Sequence, residues 1–228
     1  MPRNIDPRAP VDKPETAWMQ VMHRPLRREF GLMPDAVRAV AAGDTAKARP
    51  LARHIELFLR FLHIHHDGED QLLWPALTER VPMRAELIAT IEGQHAAVAG
   101  LIAQVTAILP RWSGTADLGR RDQLADALRD LDAALVEHLD LEESAILPLV
   151  HEHITVGEWN SLARDTERQI PKDPWRASVL AGAILDGASP AERSWFLDQV
   201  PPPVRLYLRL VGLGVYQRHI DGIRRPAR

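Results

Sequence analysis

Two stretches decide the fold: FLRFLHIHHDGEDQLLWPA at residues 58–76 and LDAALVEHLDLEESAILPL at residues 131–149. Adding 73 to a position in the first gives its equivalent in the second. Working outward, Leu51, Ile55, Phe58, Leu62, His65, Glu69, Leu72 and Ala76 match Leu124, Leu128, Leu131, Leu135, His138, Glu142, Ala145 and Leu149. Both rows step by four and three alternately, the spacing of an apolar seam on a packed helix. Both replace apolar residues with His and Glu at the same two points. Both Glu residues are followed by a second acid, Asp70 and Glu143, and both rows reach a proline, Pro75 and Pro148.

The segments before these stretches repeat too, with an offset of 72. Met19, His23, Leu26, Phe30, Met33 and Val37 match Ile91, His95, Val98, Ile102, Val105 and Leu109. One histidine interrupts each apolar row at the same point. The reading is all-α: two pseudo-repeated helical hairpins closing into an antiparallel up-and-down four-helix bundle over residues 15–152. The first helix is expected to be disturbed at Pro25 and between Gly31 and Pro34. Asp44-Thr45 starts the second, which tolerates Pro50 near its first turn. The third is expected to stop before Pro110, with a turn at Ser113-Gly114-Thr115. Shorter helices follow in an extension over 153–228. Thr155-x-x-Glu158 and Ser189-Pro190-Ala191-Glu192 read as capping boxes.

Residues i and i+4 share one helix face, one turn apart. His65 and Glu69 can therefore serve one centre, and so can His138 and Glu142. Ionised carboxylates inside a leucine seam are costly without a counter-charge, and a pair of metal cations supplies it. His23, His65, Glu69, His95, His138 and Glu142 are the predicted metal ligands. The alternative is a metal-free buried His–Glu network, which a single His-x-x-x-Glu would favour. Two in register, each joined by a lone seam histidine, favour metal. Six ligands are too few for two ions, so bridging carboxylates and exogenous species complete the set. Nitrogen and oxygen donors without sulfur suit iron, manganese, zinc or copper.

Composition narrows the chemistry. Apolar residues make up 46 % of the 228, too many for a disordered chain. There is no cysteine, which excludes disulfides, zinc–thiolate sites, iron–sulfur clusters and cysteine nucleophiles. A net charge of −3 selects neither nucleic acid nor acidic lipid. No apolar run reads as a membrane span or signal peptide. The expected location is the cytoplasm. Residues 1–14, with four prolines among charges, read as a flexible tail.

His23, the run His65-His66-Asp67-Gly68-Glu69-Asp70 with Leu73-Trp74-Pro75 after it, His95 and His138-x-x-x-Glu142 resemble a hemerythrin-type (HHE cation-binding) domain. The resemblance implies two non-haem iron ions, oxo- or hydroxo-bridged, with Glu69 and Glu142 bridging. It also implies a protein that binds or reacts with dioxygen, nitric oxide or peroxide. Peroxide removal is one such reaction; an oxygen, nitric oxide or iron sensor or store is the alternative. Oxygen carriers of the family have His-x-x-x-His on the third helix, whereas one turn from His95 stand Ile91 and Ala99. They also have a longer His-to-Asp spacing on the fourth. Both departures resemble the bacterial hemerythrin-like branch and leave one place for water, substrate or another residue. The branch that repairs iron–sulfur centres carries a cysteine-containing segment that this chain lacks.

Other residues read more plainly. Glu92, three before His95, is either a third carboxylate ligand or a solvated flank. His66 points about 100° away from His65 and is expected outside the metal shell. His63 faces solvent. His54 lies inward, but eleven residues from His65 is about 16 Å of rise, too far to share the centre. His151 and His153 are expected at the exposed end of the bundle. The extension carries Trp159, Leu162, Trp175, Val179, Leu180, Ile184 and Leu213, an apolar face that needs either the bundle or a second copy in a homodimer. Tyr207, Tyr216 and His219 either reach the centre as a lid or pack as ordinary helix residues.

Overall fold

The structure is a computed structural model describing residues 5, 10, 12–169 and 173–224; for 166, 167 and 224 only the backbone is described. The tail expected over 1–14 and the basic chain end fall largely outside the described residues. All regular structure among the described residues is helical. Four long helices dominate: α1 (Ala17–Arg38), α2 (Thr45–Leu72), α4 (Ala85–Thr115) and α5 (Leu118–Leu141), with the short α3 (Trp74–Arg80) after α2. α1 touches α2 and α5, and α4 touches the same two, so the four close a ring. Side-chain pairs order them: His23, Arg27 and Arg38 of α1 meet Glu143, Asp140 and Asp126 in turn.

Asp44 and Asp117 start α2 and α5 by accepting from the backbone N–H of Lys47 and Arg120. α1 is not interrupted by Pro25 or Pro34. Each proline forfeits one backbone bond, but both rings are buried in the packed face, which offsets the loss. α4 likewise passes Pro110 and runs to Thr115, because the next turn buries Trp112 completely. The chain turns instead at Ala116, in the left-handed region at φ 49°.

Both repeated rows slip by one residue after their glutamate. Pro148 cannot give the N–H that the Ser144 carbonyl would take, and the ladder widens into a π turn over Glu142–Ile146. Ile146, Leu147 and Val150 are then buried, in place of Ala145 and Leu149. In the other hairpin α2 ends at Leu72 and α3 begins at Trp74, so Leu73, Trp74 and Leu77 turn inward and Leu72 is left 42 % exposed. A second short helix, α6 (Leu147–His153), follows the π turn.

The seam divides the interior. One apolar core holds Leu26, Phe30, Phe58, Leu62, Val98 and Leu135. A smaller one holds Met19, Trp74, Leu77, Ile91, Ile146 and Val150. Between them lies a layer of buried histidines and glutamates.

The extension packs on the outside. α7 (Val156–Gln169) lies against α2, α8 (Pro174–Leu185) against α1, and α11 (Leu213–Arg224) against α8 and α2; α9 (Pro190–Gln199) and α10 (Pro202–Tyr207) connect them. Both capping boxes are present, at Thr155–Glu158 and Ser189–Glu192. α8 and α11 approach so closely that a Cβ on Gly182 would lie 2.2 Å from the ring of Tyr216. By length and composition Pro82–Thr115 could cross a bilayer, a stretch the sequence reading passed over. Here it buries Ile91, Val98, Val105, Leu109 and Trp112 in the two cores.

Candidate metal centre

Each long helix contributes inward-facing donors to the polar layer. His23 comes from α1, His65, His66 and Glu69 from α2, His95 from α4, and His138 from α5. Glu142 opens the π turn. All seven side chains are buried. They form two groups whose donor atoms lie within 4.8 Å of one another: His23, His65 and Glu142, and His66, Glu69, His95 and His138.

The glutamates tie the groups together. Glu69 lies 3.5 Å from His65 Nε2 through one oxygen and 3.5 Å from His95 Nε2 through the other. Glu142 Oε2 lies 3.3 Å from His23 Nε2 and 3.8 Å from His138 Nε2. Each carboxylate thus reaches an imidazole of either group. Yet neither oxygen of Glu69 or Glu142 has a hydrogen-bond partner in the protein. The same holds for His66 Nε2, His95 Nε2 and both nitrogens of His138. Buried polar atoms are almost always satisfied, and such a concentration of orphans marks a place for something else. The orphaned atoms are oxygens and imidazole nitrogens, a donor set that fits iron.

Electrostatics prepares these donors. Burial, reinforced by neighbouring imidazoles, lowers the pKa of His65 and of His138 to about 3 and that of His66 well below its usual value. All three are neutral at pH 7, the form that offers a lone pair. Burial also works to lower His23, but the charge of Glu142 and then of Glu143 outweighs it and raises the pKa to about 9. Burial raises Glu69 well above the carboxylate range, and the neighbouring Glu142 pushes the same way. Burial works to raise Glu142 as well, but His23 dominates and holds it low. The protein alone therefore carries one carboxylate–imidazolium pair and one carboxyl group that burial disfavours as an anion.

The six predicted ligands all meet in this layer. His66, expected outside it, is a correction: its ring stacks on His95 at 4.0 Å between centroids and stands edge-on to His138. The missing second histidine one turn from His95 had left a place for water, substrate or another residue, and His66 lies beside His95 there. Glu92 is exposed and takes no part. His63 is exposed beside Asp67, and His153 is exposed as well. His151 bonds the Pro14 carbonyl. Tyr207 bonds Ser178, while Tyr216 and His219 meet Asp186 and His54, so none of the three reaches the layer.

A family model for the hemerythrin HHE cation-binding domain matches residues 15–150. No curated protein and no solved structure matches the chain.

Proposed function

The chain belongs to the hemerythrin HHE cation-binding family, and from that premise we propose that it is a soluble, cytoplasmic non-haem di-iron protein of the bacterial hemerythrin-like type. It binds or reacts with peroxide, dioxygen or nitric oxide. The observation that carries this reading is the set of buried, partnerless donor atoms on Glu69, Glu142, His66, His95 and His138. His23, His65 and Glu142 hold one iron, and His66, Glu69, His95 and His138 hold the other. Glu69 and Glu142 serve both, as their distances to both groups support. The fold behind this is an antiparallel bundle of two repeated hairpins over 15–152, with 153–228 packed on it.

Iron bound here supplies the redox chemistry toward a small oxidant or diatomic. The chain's own residues do the rest. The apolar cores on both sides, with Leu26, Leu62, Val98 and Leu135 on one and Met19, Ile91 and Ile146 on the other, exclude bulk water from the layer. The His23 group offers three protein donors against four in the other, so the His23 side is where a small ligand has room to bind. Glu69 yields its proton when metal enters, because a cation replaces the missing counter-charge.

The test uses the full chain expressed with iron. Metal analysis is expected to give two irons per chain, with a visible absorption band. Added peroxide is then expected to release oxygen over many turnovers. A stoichiometric spectral change without turnover would instead favour a sensor or store. Purified protein without stoichiometric metal would overturn the reading.

A further inference from the structure

We propose that Asp70 and Glu143 are the positioning residues of the metal centre, each holding the lone seam histidine of the opposite hairpin, and that the asymmetry between them makes the His95 group the tighter of two unequal metal sites. This rests on the metal reading above. Asp70 follows Glu69 and Glu143 follows Glu142. Neither turns into the centre as its neighbour does. Each instead reaches the next helix in the ring. Asp70 Oδ1 lies 2.6 Å from His95 Nδ1. Glu143 Oε1 lies 2.8 Å from His23 Nδ1. The first hairpin thus orients the histidine of the second, and the second that of the first.

A carboxylate accepts from an imidazole N–H, so Nδ1 carries the proton in both rings. Nε2 is the nitrogen turned into the layer, where that of His23 also lies 3.1 Å from His65 Nε2. His95 Nε2 is a partnerless atom 3.5 Å from Glu69 Oε2, and His23 Nε2 is 3.3 Å from Glu142 Oε2. Carboxylates behind ligating histidines fix the tautomer and make the ring a better donor. His138 has no such partner on Nδ1.

The two carboxylates differ in what else they bind. Glu143 Oε1 also accepts from Arg27 at 3.1 Å, and that guanidinium pairs with Asp140 as well. Asp70 Oδ1 accepts instead from the neutral indole of Trp74 at 2.9 Å. A cation on Glu143 withdraws charge that would otherwise polarise His23, whereas Asp70 delivers its charge to His95. The His95 group also counts four side chains against three. Both differences favour metal retention by the same group.

The test is a metal titration of the full chain, stripped and reloaded anaerobically with ferrous ion, with cobaltous ion as a spectroscopic probe. Wild type is expected to show two affinity classes. Asp70→Asn keeps the shape but loses the charge, and is expected to weaken the tight class 10- to 100-fold while leaving the weaker one. Asp70→Glu is expected to recover part of it. Glu143→Gln is expected to weaken the weak class, and Arg27→Gln to tighten it, with the matching cobalt band shifted in each case. Helical circular dichroism checks that every variant folds. Equal wild-type affinities at both sites, or variants that titrate like wild type, would overturn the proposal while the metal reading stands. Wild type that takes up no metal would overturn the reading itself.

Discussion

Among the described residues two histidine–carboxylate clusters stand out, and they are built on opposite principles. The first is the layer between the cores, where Glu69, Glu142 and His138 leave atoms without protein partners. The second joins the bundle to the extension. There Glu29 accepts from Arg28 Nε at 2.9 Å and lies 3.1 Å from His54 Nε2, while His54 Nδ1 is 3.1 Å from His219 Nε2. Arg28 also donates to the carbonyls of Ala183 and Asp186 at the end of α8, where a cation meets the helix dipole favourably. Tyr216 donates to Asp186. The second cluster closes on itself; the first is closed only by something the chain does not supply. Burial of His and Glu alone therefore does not mark a metal site. Unsatisfied carboxylate and imidazole atoms that converge on one place do.

The comparison breaks most sharply on substituting one glutamate from each cluster. Glu69→Leu removes a donor that reaches both groups, so metal content is expected to fall to zero. The metal-free protein is expected to become more stable, by about 1–4 kcal/mol, because a buried acid without partners is replaced by an apolar side chain. Urea unfolding of stripped protein measures this. Glu29→Ala has the opposite signature. It takes away the carboxylate that Arg28 and His54 share and is expected to cost about 3–5 kcal/mol, with metal content unchanged. Should Glu69→Leu destabilise as much as Glu29→Ala, the layer would be a structural network after all.

A smaller effect tests how the closed cluster is held. Gly182 lets the Tyr216 ring sit against the α8 backbone, where a Cβ would overlap it. Gly182→Ala is expected to cost about 1–3 kcal/mol by forcing α11 outward. Hydrogen exchange should show the loss of protection in α11 and α8, with α4 and α5 unaffected.

How much of this was legible beforehand differs between the clusters. The open layer announced itself because its residues break two repeated apolar rows at matching points, and a repeat is visible in one sequence. Its neighbours Asp70 and Glu143 were seen as a pair, but their targets were not, since the helix beside each is set by tertiary packing. His66 was misread because an angle measured on a lone helix ignores how far the α2 donors converge with α4 and α5. The register slip after Glu69 and Glu142 was hidden for another reason. Pro75 and Pro148 signalled an ending, and nothing local distinguishes a break from a π turn. The closed cluster was illegible. Glu29, His54 and His219 are scattered over nearly the whole chain and belong to no repeat, so only docking of the extension brings them together.

The smallest expected effect concerns pH. Burial, then the charges of His54 and Arg53, lowers the pKa of His219 from 6.5 to about 4. The docked ring stays neutral where an undocked one would take a proton. Its contribution to holding α11 in place is therefore complete above pH 6.5 and lost as pH falls toward 4. The ring is only partly buried, so solvent screens part of the effect. Amide exchange of metal-free protein between pH 7 and 4 should show α11 losing protection across that window, and His219→Gln should flatten the loss. His65 and His138, both lowered to about 3, favour global unfolding over the same range, from pH 6.5 downward, but undocking α11 leaves them buried. Protection in α4 reports that global share and serves as the internal reference. If α11 and α4 loosen together in wild type and variant alike, the closed cluster is not the clamp on the extension, and the contrast between the two clusters reduces to metal binding alone.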